Sequence, residues 1–272
     1  MDSNNVKDLY DSISKRMSVR EYGDEEIKPE ICDKIDKFIE KINKEEDIFN
    51  SKTRFLLMRE DFSRIWTFGF IGGTKYWLCG CTNKDDEKSE IGYGYKMEKI
   101  ILYITSLGLN TCWLGGTYTS SCFTKALNLD EKNEKLVCVS PVGYKHPSKK
   151  GLISYFSNRK RNEWSKNFFF YENSVVSMTE EKCTFFKKEI LEGIRWAPTA
   201  RNNQDYAILF IDKIAHVFVV GSSICCLCNS GIIMAHLEIS CLANGINGHW
   251  EILKDFSFDV PKNWRYVSSY VC

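Results

Sequence analysis

The hydrophobic positions along the chain alternate between helical and strand-like spacing, and they do so twice in the same order. Val6, Leu9, Tyr10 and Ile13 share a face if residues 6–16 are helical. A break over Ser18–Asp24 follows, and Pro29 opens a second predicted helix with Ile31, Ile35, Phe38, Ile39 and Ile42 at helical spacing. TRFLLM (53–58) and KYWLCGC (75–81) predict strands. GYGYKMEKIILYITSLGLN predicts a long apolar helix that stops at Gly108, and TCWLGG follows directly. LVCVSPVGY (136–144) predicts another apolar strand, and residues 145–167 read as basic, polar and extended. The second half starts again with a predicted helix, EEKCTFFKKEILEGIRWA (180–197). Strands YAILFI (206–211) and HVFVVGS (216–222), the long helix SGIIMAHLEISCLANGI and then GHWEI complete it.

The two long helices align without a gap. Gly94, Met97, Gly108, Asn110 and Trp113 stand opposite Gly231, Met234, Gly245, Asn247 and Trp250, at a constant shift (245 − 108 = 250 − 113 = 137). Such a self-match points to an internal duplication. The expected architecture is two tandem α+β halves, 1–150 and 151–272, the second including the basic linker. Together they would form one compact unit, a monomer acting as a pseudo-dimer, with the long helices at its central contact.

Composition narrows the function. The 272 residues are 43% hydrophobic and 27% charged with net charge +1, which gives no basic surplus for nucleic acid and no acidic arm. No run of about 18 apolar residues is expected to span a membrane. The polar start MDSNNVKDLYDSISKR lacks the apolar core of a secretory signal, so the expected location is the cytoplasm. Twelve cysteines sit mostly in apolar runs, as Cys79, Cys81 and Cys138 do, and read as reduced core residues. Cys225, Cys226 and Cys228 match no common zinc spacing, so no metal is expected.

Four segments could carry chemistry. In RMSVREY (16–22), Arg16, Ser18 and Arg20 alternate, and an extended backbone would put all three on one side as a phosphate clamp. The alternative is a solvated charged turn. In GLNTCWLGG (108–116), Gly115 and Gly116 would let the backbone approach a flat ligand, unless the segment is only a helix stop and a buried strand. In WAPTARNNQDY (196–206), Pro198, Thr199, Ala200 and Asn202 form a polar elbow, and an amide there suits a ring edge. In SNRKRNEW (157–164), Arg159 and Arg161 alternate, as a second clamp or a solvated linker. The glycines of GFIGGTKYW (69–77) precede a strand and make no dinucleotide fingerprint. The four histidines lie in unrelated contexts, with His236 expected in the core or an interface.

Taken together, these segments resemble the nitroreductase family of flavoenzymes. Its RRSxRxF, APSAxNxQPW, GLGTCWxGG, PVGYP and KxR segments correspond here to RMSVREY (16–22), APTARNNQDY (197–206), GLNTCWLGG (108–116), PVGYKH (141–146) and RKR (159–161). The order departs from the family's, where the APSAxN segment comes early. Here the first half lacks that motif, and the second half lacks the RxSxR and Gly-Gly motifs. Family members are dimers whose flavins take RxSxR, CWxGG and KxR from one subunit and APSAxN from the other. The resemblance is greatest to the internally duplicated subset of the Thermotoga type, and it implies a fused pseudo-dimer with one FMN site kept and one lost.

The same resemblance implies roles for individual residues. Arg16 and Ser18, with Arg159 and Arg161, would meet the FMN phosphate, and Arg20 would stabilise negative charge at N1 and O2 of the reduced ring. Leu114, Gly115 and Gly116 would line the ring, and Pro198, Thr199, Ala200 and Asn202 would complete the site. Asp205 stands where the family has Pro, and Arg201 brings charge to the elbow. The implied activity is hydride transfer from NADH or NADPH to FMN, and then to a small-molecule acceptor such as a nitroaromatic or quinone. No catalytic acid or base is required. A non-catalytic flavin-binding remnant, or a flavoenzyme with another substrate, are the alternatives.

Overall fold

The computed structural model describes all residues except 1–2, 60–64, 66, 150–159, 180–184, 223–224 and 255–257. In chain order its elements begin with α1 (Ser3–Lys15), α2 (Pro29–Lys44), β1 (Arg54–Arg59), β2 (Tyr76–Asn83) and α3 (Ser89–Ser106). β3 (Asn110–Thr111), α4 (Ser121–Ala126), β4 (Glu134–Gly143), α5 (Trp164–Asn167), β5 (Phe168–Tyr171) and β6 (Val175–Ser177) follow. The chain ends with α6 (Lys188–Arg195), β7 (Tyr206–Ile211), β8 (Ile214–Val220), α7 (Cys226–Ala243), β9 (His249–Glu251) and β10 (Trp264–Val271). The fold class is α+β, as the sequence leads one to expect.

Two compact units form. One is Lys15–Asn158, and the other joins Met1–Ser14 to Arg159–Cys272. The expected boundary between 150 and 151 therefore differs at the N-terminus, because α1 packs with the second half. Its Tyr10 hydroxyl donates to the Glu189 carbonyl at 3.0 Å.

Each unit repeats one topology. The first sheet runs β1-β2-β4-β3, and the second contains β7-β8-β10-β9 in the corresponding order. All these neighbours are antiparallel. The second sheet extends past β7 with β5, which pairs parallel to it, and then β6. α3 and α7 have 18 residues each and start 137 positions apart (226 − 89). Each ends in the same cap. Gly108 and Gly245 take left-handed φ of 83° and 76°, and the next residue's N–H reaches back five residues, Leu109 to Ile104 and Ile246 to Cys241. Each helix also holds a tryptophan from the strand region after it. The Trp113 indole donates to Glu98 and the Trp250 indole to Glu238, both at 2.8 Å.

The two helix types bury differently. α2 is amphipathic: Ile35, Phe38, Ile39 and Ile42 of the predicted face are buried, with Cys32 added, while Ile31 is half-buried. α3 is buried almost all round, including Lys96, Glu98 and Lys99. Lys96 is reconciled with burial by Asp47, whose carboxylate lies 3.1 Å from its ammonium, both side chains being at most 3% exposed. α7 corrects one expectation. By length and composition it could cross a membrane, at mean hydropathy 1.4, but 72% of it is buried, which is the condition of a core helix. His236 on α7 is a core histidine, with Nδ1 2.8 Å from the Gly193 carbonyl.

Two further expectations are corrected. Of the helix anticipated over 180–197, residues 180–184 lie outside the described residues and only Lys188–Arg195 is helical. Phe185 and Phe186 pack edge-to-face just before it. Within the segment read as extended, 145–167, Trp164–Asn167 makes a helical turn, fixed by the Trp164 indole donating to Glu192 at 2.7 Å.

Candidate functional site

In the first unit, the segment after α1 is extended because three neighbours pair with it. Ser18 bridges Thr111, Glu21 bridges Gly72, and Tyr22 bridges Lys145. The Val19 amide donates to Thr111 at 2.9 Å, and the Gly72 amide to the Arg20 carbonyl at 2.8 Å. Tyr22 is the buried anchor, its hydroxyl donating to the Val19 carbonyl at 2.8 Å. The approach demands glycine at Gly73. Its φ is +87°, and an added Cβ would come 2.2 Å from the Tyr22 carbonyl oxygen.

This extended backbone puts Arg16, Ser18 and Arg20 at alternate positions of one paired segment. All three bear on the Cys112 thiol. Burial pushes the Cys112 thiol up, opposed by the charges of Arg20 and Arg16 and by a hydrogen bond from Ser18. Arg16 and Arg20 are half-buried, and Nε and Nη1 of each are shielded from solvent with no hydrogen-bond partner among the described residues. Buried donors on a cation without partners are costly, and an anion is the ligand that satisfies them.

The Gly-Gly segment lies on the same edge. Leu114 pairs with Val139 through two 2.9 Å backbone bonds, and the Cys112 amide donates to Ser140 Oγ at 3.0 Å. This delivers Gly115 and Gly116, both exposed, just beyond the buried Leu114. A Cβ added to Gly116 would meet nothing within 4 Å, so open space lies where a side chain would project. Arg16, Ser18, Arg20, Leu114, Gly115 and Gly116 thus belong to one local arrangement.

The second unit shows what the same positions look like without these motifs. At the shift of 137, Ile252 and Leu253 stand where Gly115 and Gly116 do (252 − 115 = 253 − 116 = 137). Ile252 is 41% exposed, and the Leu253 amide is consumed by the Tyr266 hydroxyl at 3.1 Å. Tyr266 is held by Ser269, and Ser269 by His216, each at 2.7 Å. Burial lowers the His216 pKa to about 4 and keeps it neutral. Among the described residues, no segment pairs on the outer edge of β9 as Ser18–Tyr22 does beside β3.

The elbow is built within the second unit. After α6, Thr199 is extended and Ala200–Asn202 makes a 3-10 turn. Arg201, Asn202 and Gln204 all take left-handed φ, between 54° and 58°. Such backbone persists only when overdetermined, and here it is. The Thr199 hydroxyl accepts the Gln204 amide at 2.9 Å, and Gln204 Oε1 accepts the Asn162 amide at 2.7 Å. Asn229 on α7 accepts the Ala200 amide at 3.0 Å, while its own amide donates to Asp205 at 3.1 Å. This gives Asp205 a role where the family has Pro: it orients Asn229. Burial raises the Asp205 pKa, partly offset by backbone and Asn229 hydrogen bonds.

Two residues occupy different roles from those expected. The Arg161 guanidinium is turned onto the elbow, donating to the Trp196 and Ala197 carbonyls at 3.0 and 3.1 Å and to Asn202 Oδ1 at 2.8 Å. Asn202 gives its Nδ2 to the Lys160 carbonyl at 3.0 Å. Both amide ends of Asn202 are thereby used within the elbow. Arg161 thereby satisfies carbonyls at the C-terminal end of α6, 35 and 36 residues along the chain, and ties them to Asn202 in the turn. Arg159 lies outside the described residues. Pro198 is buried, and Thr199 and Ala200 are half-buried. The sequence reading missed Asn229 and Gln204. Their signal was two buried amides beside an unusual run of polar backbone. Cys225, Cys226 and Cys228 are free thiols at the start of α7, and no group of metal-ligating residues occurs among the described residues.

The fold and site define a class: an α+β protein whose two mostly antiparallel sheets share one strand order, with an arginine-bearing extended segment and a polar elbow. Residues 8–241 match the model of the family described as "Putative TM nitroreductase", and the chain belongs to that family. A comparison with curated proteins finds no match. Among solved structures, a "putative nitroreductase" of Thermotoga maritima is 14% identical with a TM-score of 0.63, covering 97% of this chain and 93% of its own. That likeness shows the fold. A nitroreductase family protein of Clostridium novyi is 18% identical (TM-score 0.41), covering 52% of this chain and 86% of its own. A Bacteroides fragilis nitroreductase with bound FMN is 16% identical (TM-score 0.41), covering 52% and 90%.

Proposed function

We propose that this protein is an FMN-dependent oxidoreductase that takes electrons from NADH or NADPH and reduces a small nitroaromatic or quinone-like acceptor. The observation that carries the reading is the pair of half-buried guanidiniums, Arg16 and Arg20, with four partnerless buried nitrogens on an edge that ends in two exposed glycines. When bound, FMN would supply the redox chemistry by accepting hydride and passing electrons on.

The chain's own residues bind and orient. Arg16 and Ser18 would hold the phosphate, with Arg159 added on the family resemblance alone. Arg20 would offset negative charge at the ring's N1 and O2. Leu114, Gly115 and Gly116 would line the ring, Gly116 leaving room that a side chain would fill. Pro198, Thr199 and Ala200 are added on the family resemblance alone. Arg161, through Nη1 and Nη2, and Asn202, through its side-chain amide, would also act by fixing the elbow's shape.

The pseudo-dimer and the single cofactor belong to the same proposal. Repeated topology and caps support duplication. Ile252 and Leu253 in place of Gly115 and Gly116 support one flavin per chain, because two side chains replace the open space and Tyr266 takes the amide. On composition we place the enzyme in the cytoplasm, working as a monomer. The test is turnover. FMN-loaded protein should oxidise NADH or NADPH in the presence of menadione or nitrofurazone. Flavin-loaded protein that oxidises neither nucleotide with either acceptor would overturn this reading and leave a flavin-binding remnant or a flavoenzyme with another substrate.

A further inference from the structure

In the second unit, the end of β10 runs along the end of α7 and brings two cysteines together. Ser268 on β10 donates to Met234 Sδ on α7 at 3.4 Å, so this face of the strand meets that helix. Period two puts Tyr270 and Cys272 on the same face as Ser268. From Ser268 to Cys272 an extended chain advances about 13 Å, and from Met234 to Cys241 a helix advances about 10 Å. The two thiols meet there and share a hydrogen bond. At the shift of 137, the first unit has a plain core residue, Ile104, in place of Cys241 (241 − 104 = 137).

Both positions are fixed by backbone. Val271 pairs with Ile214 on one side and His249 on the other, and the Cys272 amide donates to the Lys213 carbonyl at 3.1 Å. Cys241 lies in the last turn of α7, its carbonyl accepting the Asn244 amide at 3.0 Å and the Ile246 amide at 2.9 Å. The two thiols differ in access. Cys241 is fully buried, whereas Cys272 is half-buried. They differ in acidity as well. Cys241 donates the shared hydrogen bond, which lowers the Cys272 pKa; burial opposes this and the Lys213 charge adds to it. The same bond, together with burial, raises the Cys241 thiol. One thiol is therefore suited to attack and the other to wait.

We propose that Cys272 and Cys241 form a peroxide-reactive pair, with Cys272 as the attacking thiol and Cys241 as the resolving one. The Cys272 thiolate attacks one oxygen of a hydroperoxide and the O–O bond breaks. The other oxygen leaves, takes up a proton and departs as an alcohol, or as water from hydrogen peroxide. Cys272 becomes a sulfenic acid. The Cys241 sulfur then attacks the Cys272 sulfur, the S–O bond breaks, and water leaves with the Cys241 proton. Two thiols and one hydroperoxide thus give one disulfide, one alcohol and one water. The bond ties the end of the sheet to α7. In a reducing cytoplasm such a bond is transient, because thiol exchange restores the pair.

The experiment uses the full chain, reduced and desalted, as wild type, Cys272→Ser and Cys241→Ser. Each is exposed to hydrogen peroxide for a series of times, with and without dimedone to trap sulfenic acid. Remaining thiols are alkylated, and the digest is read by mass spectrometry. Thermal melts show that each variant is folded. In wild type, a Cys241–Cys272 cross-link should form about tenfold faster than the half-buried Cys122 or Cys226 is oxidised. Dithiothreitol should reverse it. In Cys241→Ser, oxidation should stop at a dimedone adduct on Cys272. In Cys272→Ser, the buried Cys241 should stay reduced. If Cys241→Ser does not fold, wild type and Cys272→Ser decide the matter. Wild type whose other thiols oxidise without this cross-link overturns the proposal. So does Cys241 that oxidises in Cys272→Ser as fast as in wild type.

Discussion

Replacing Arg16 and Arg20 together by alanine should weaken FMN binding by about 10²–10⁴-fold, with each single change giving part of the loss. The estimate follows from about 1.5–3 kcal/mol for each charge-assisted contact removed. The same double variant should leave the flavin-free protein as stable as wild type or slightly more so. This second effect separates a binding site from a structural network. In the free protein, Nε and Nη1 of both residues are buried without partners, so removing them relieves a desolvation cost. Isothermal titration with FMN and thermal melts of the flavin-free protein measure the two effects. Unchanged FMN affinity, or a large loss of stability without flavin, would show that the two arginines serve the fold.

Asp47→Ala should destabilise the protein by about 3–5 kcal/mol, because it strands the Lys96 ammonium in the interior. Both partners are nearly inaccessible at 3.1 Å. Asp47 also accepts the Phe49 amide at 3.0 Å and the Ser51 amide at 3.3 Å, and it bonds the Ser51 hydroxyl. This cluster occupies the stretch before β1, the place in the first half that the elbow occupies before β7. There it replaces a polar elbow with a buried ion pair packed on α3, where Gly92 leaves room for Ser51. For a chain of this size the expected fall in melting temperature is about 6–15 °C. The double change Asp47→Asn with Lys96→Met should recover most of it, since neither charge is then left alone. Additive losses in the double variant would show that the pair is not energetically coupled.

The sequence was most informative where one local rule sufficed. α2 could be read because Ile35, Phe38, Ile39 and Ile42 follow the helical period, and all four are buried. The ends of α3 and α7 could be read because Gly108 and Gly245 adopt the left-handed cap that glycine favours. The clamp was legible as a possibility, but alternation alone favoured a solvated turn. What makes the segment extended is the pairing of Ser18 with Thr111 and of Glu21 with Gly72, and such long-range pairing has no local signature. Arg161 illustrates the opposite case. Its spacing with Arg159 suggested a clamp, yet its guanidinium also serves carbonyls of Trp196 and Ala197 at the end of α6, and which distant helix end it meets cannot be read from local spacing. The packing of α1 with the second half was hidden for the same reason, as amphipathic spacing says which face is buried and not against what.

The central claim is one flavin held per chain, with the second site of an ancestral pair lost. Its direct measurement is the FMN bound per polypeptide after reconstitution with excess FMN, desalting and denaturation, with released flavin quantified against protein concentration. The account expects one FMN per chain. None, after reconstitution, would contradict the binding site built on Arg16, Ser18, Arg20 and the Gly115–Gly116 edge. Two would contradict the reading that Ile252, Leu253 and Tyr266 have closed the other.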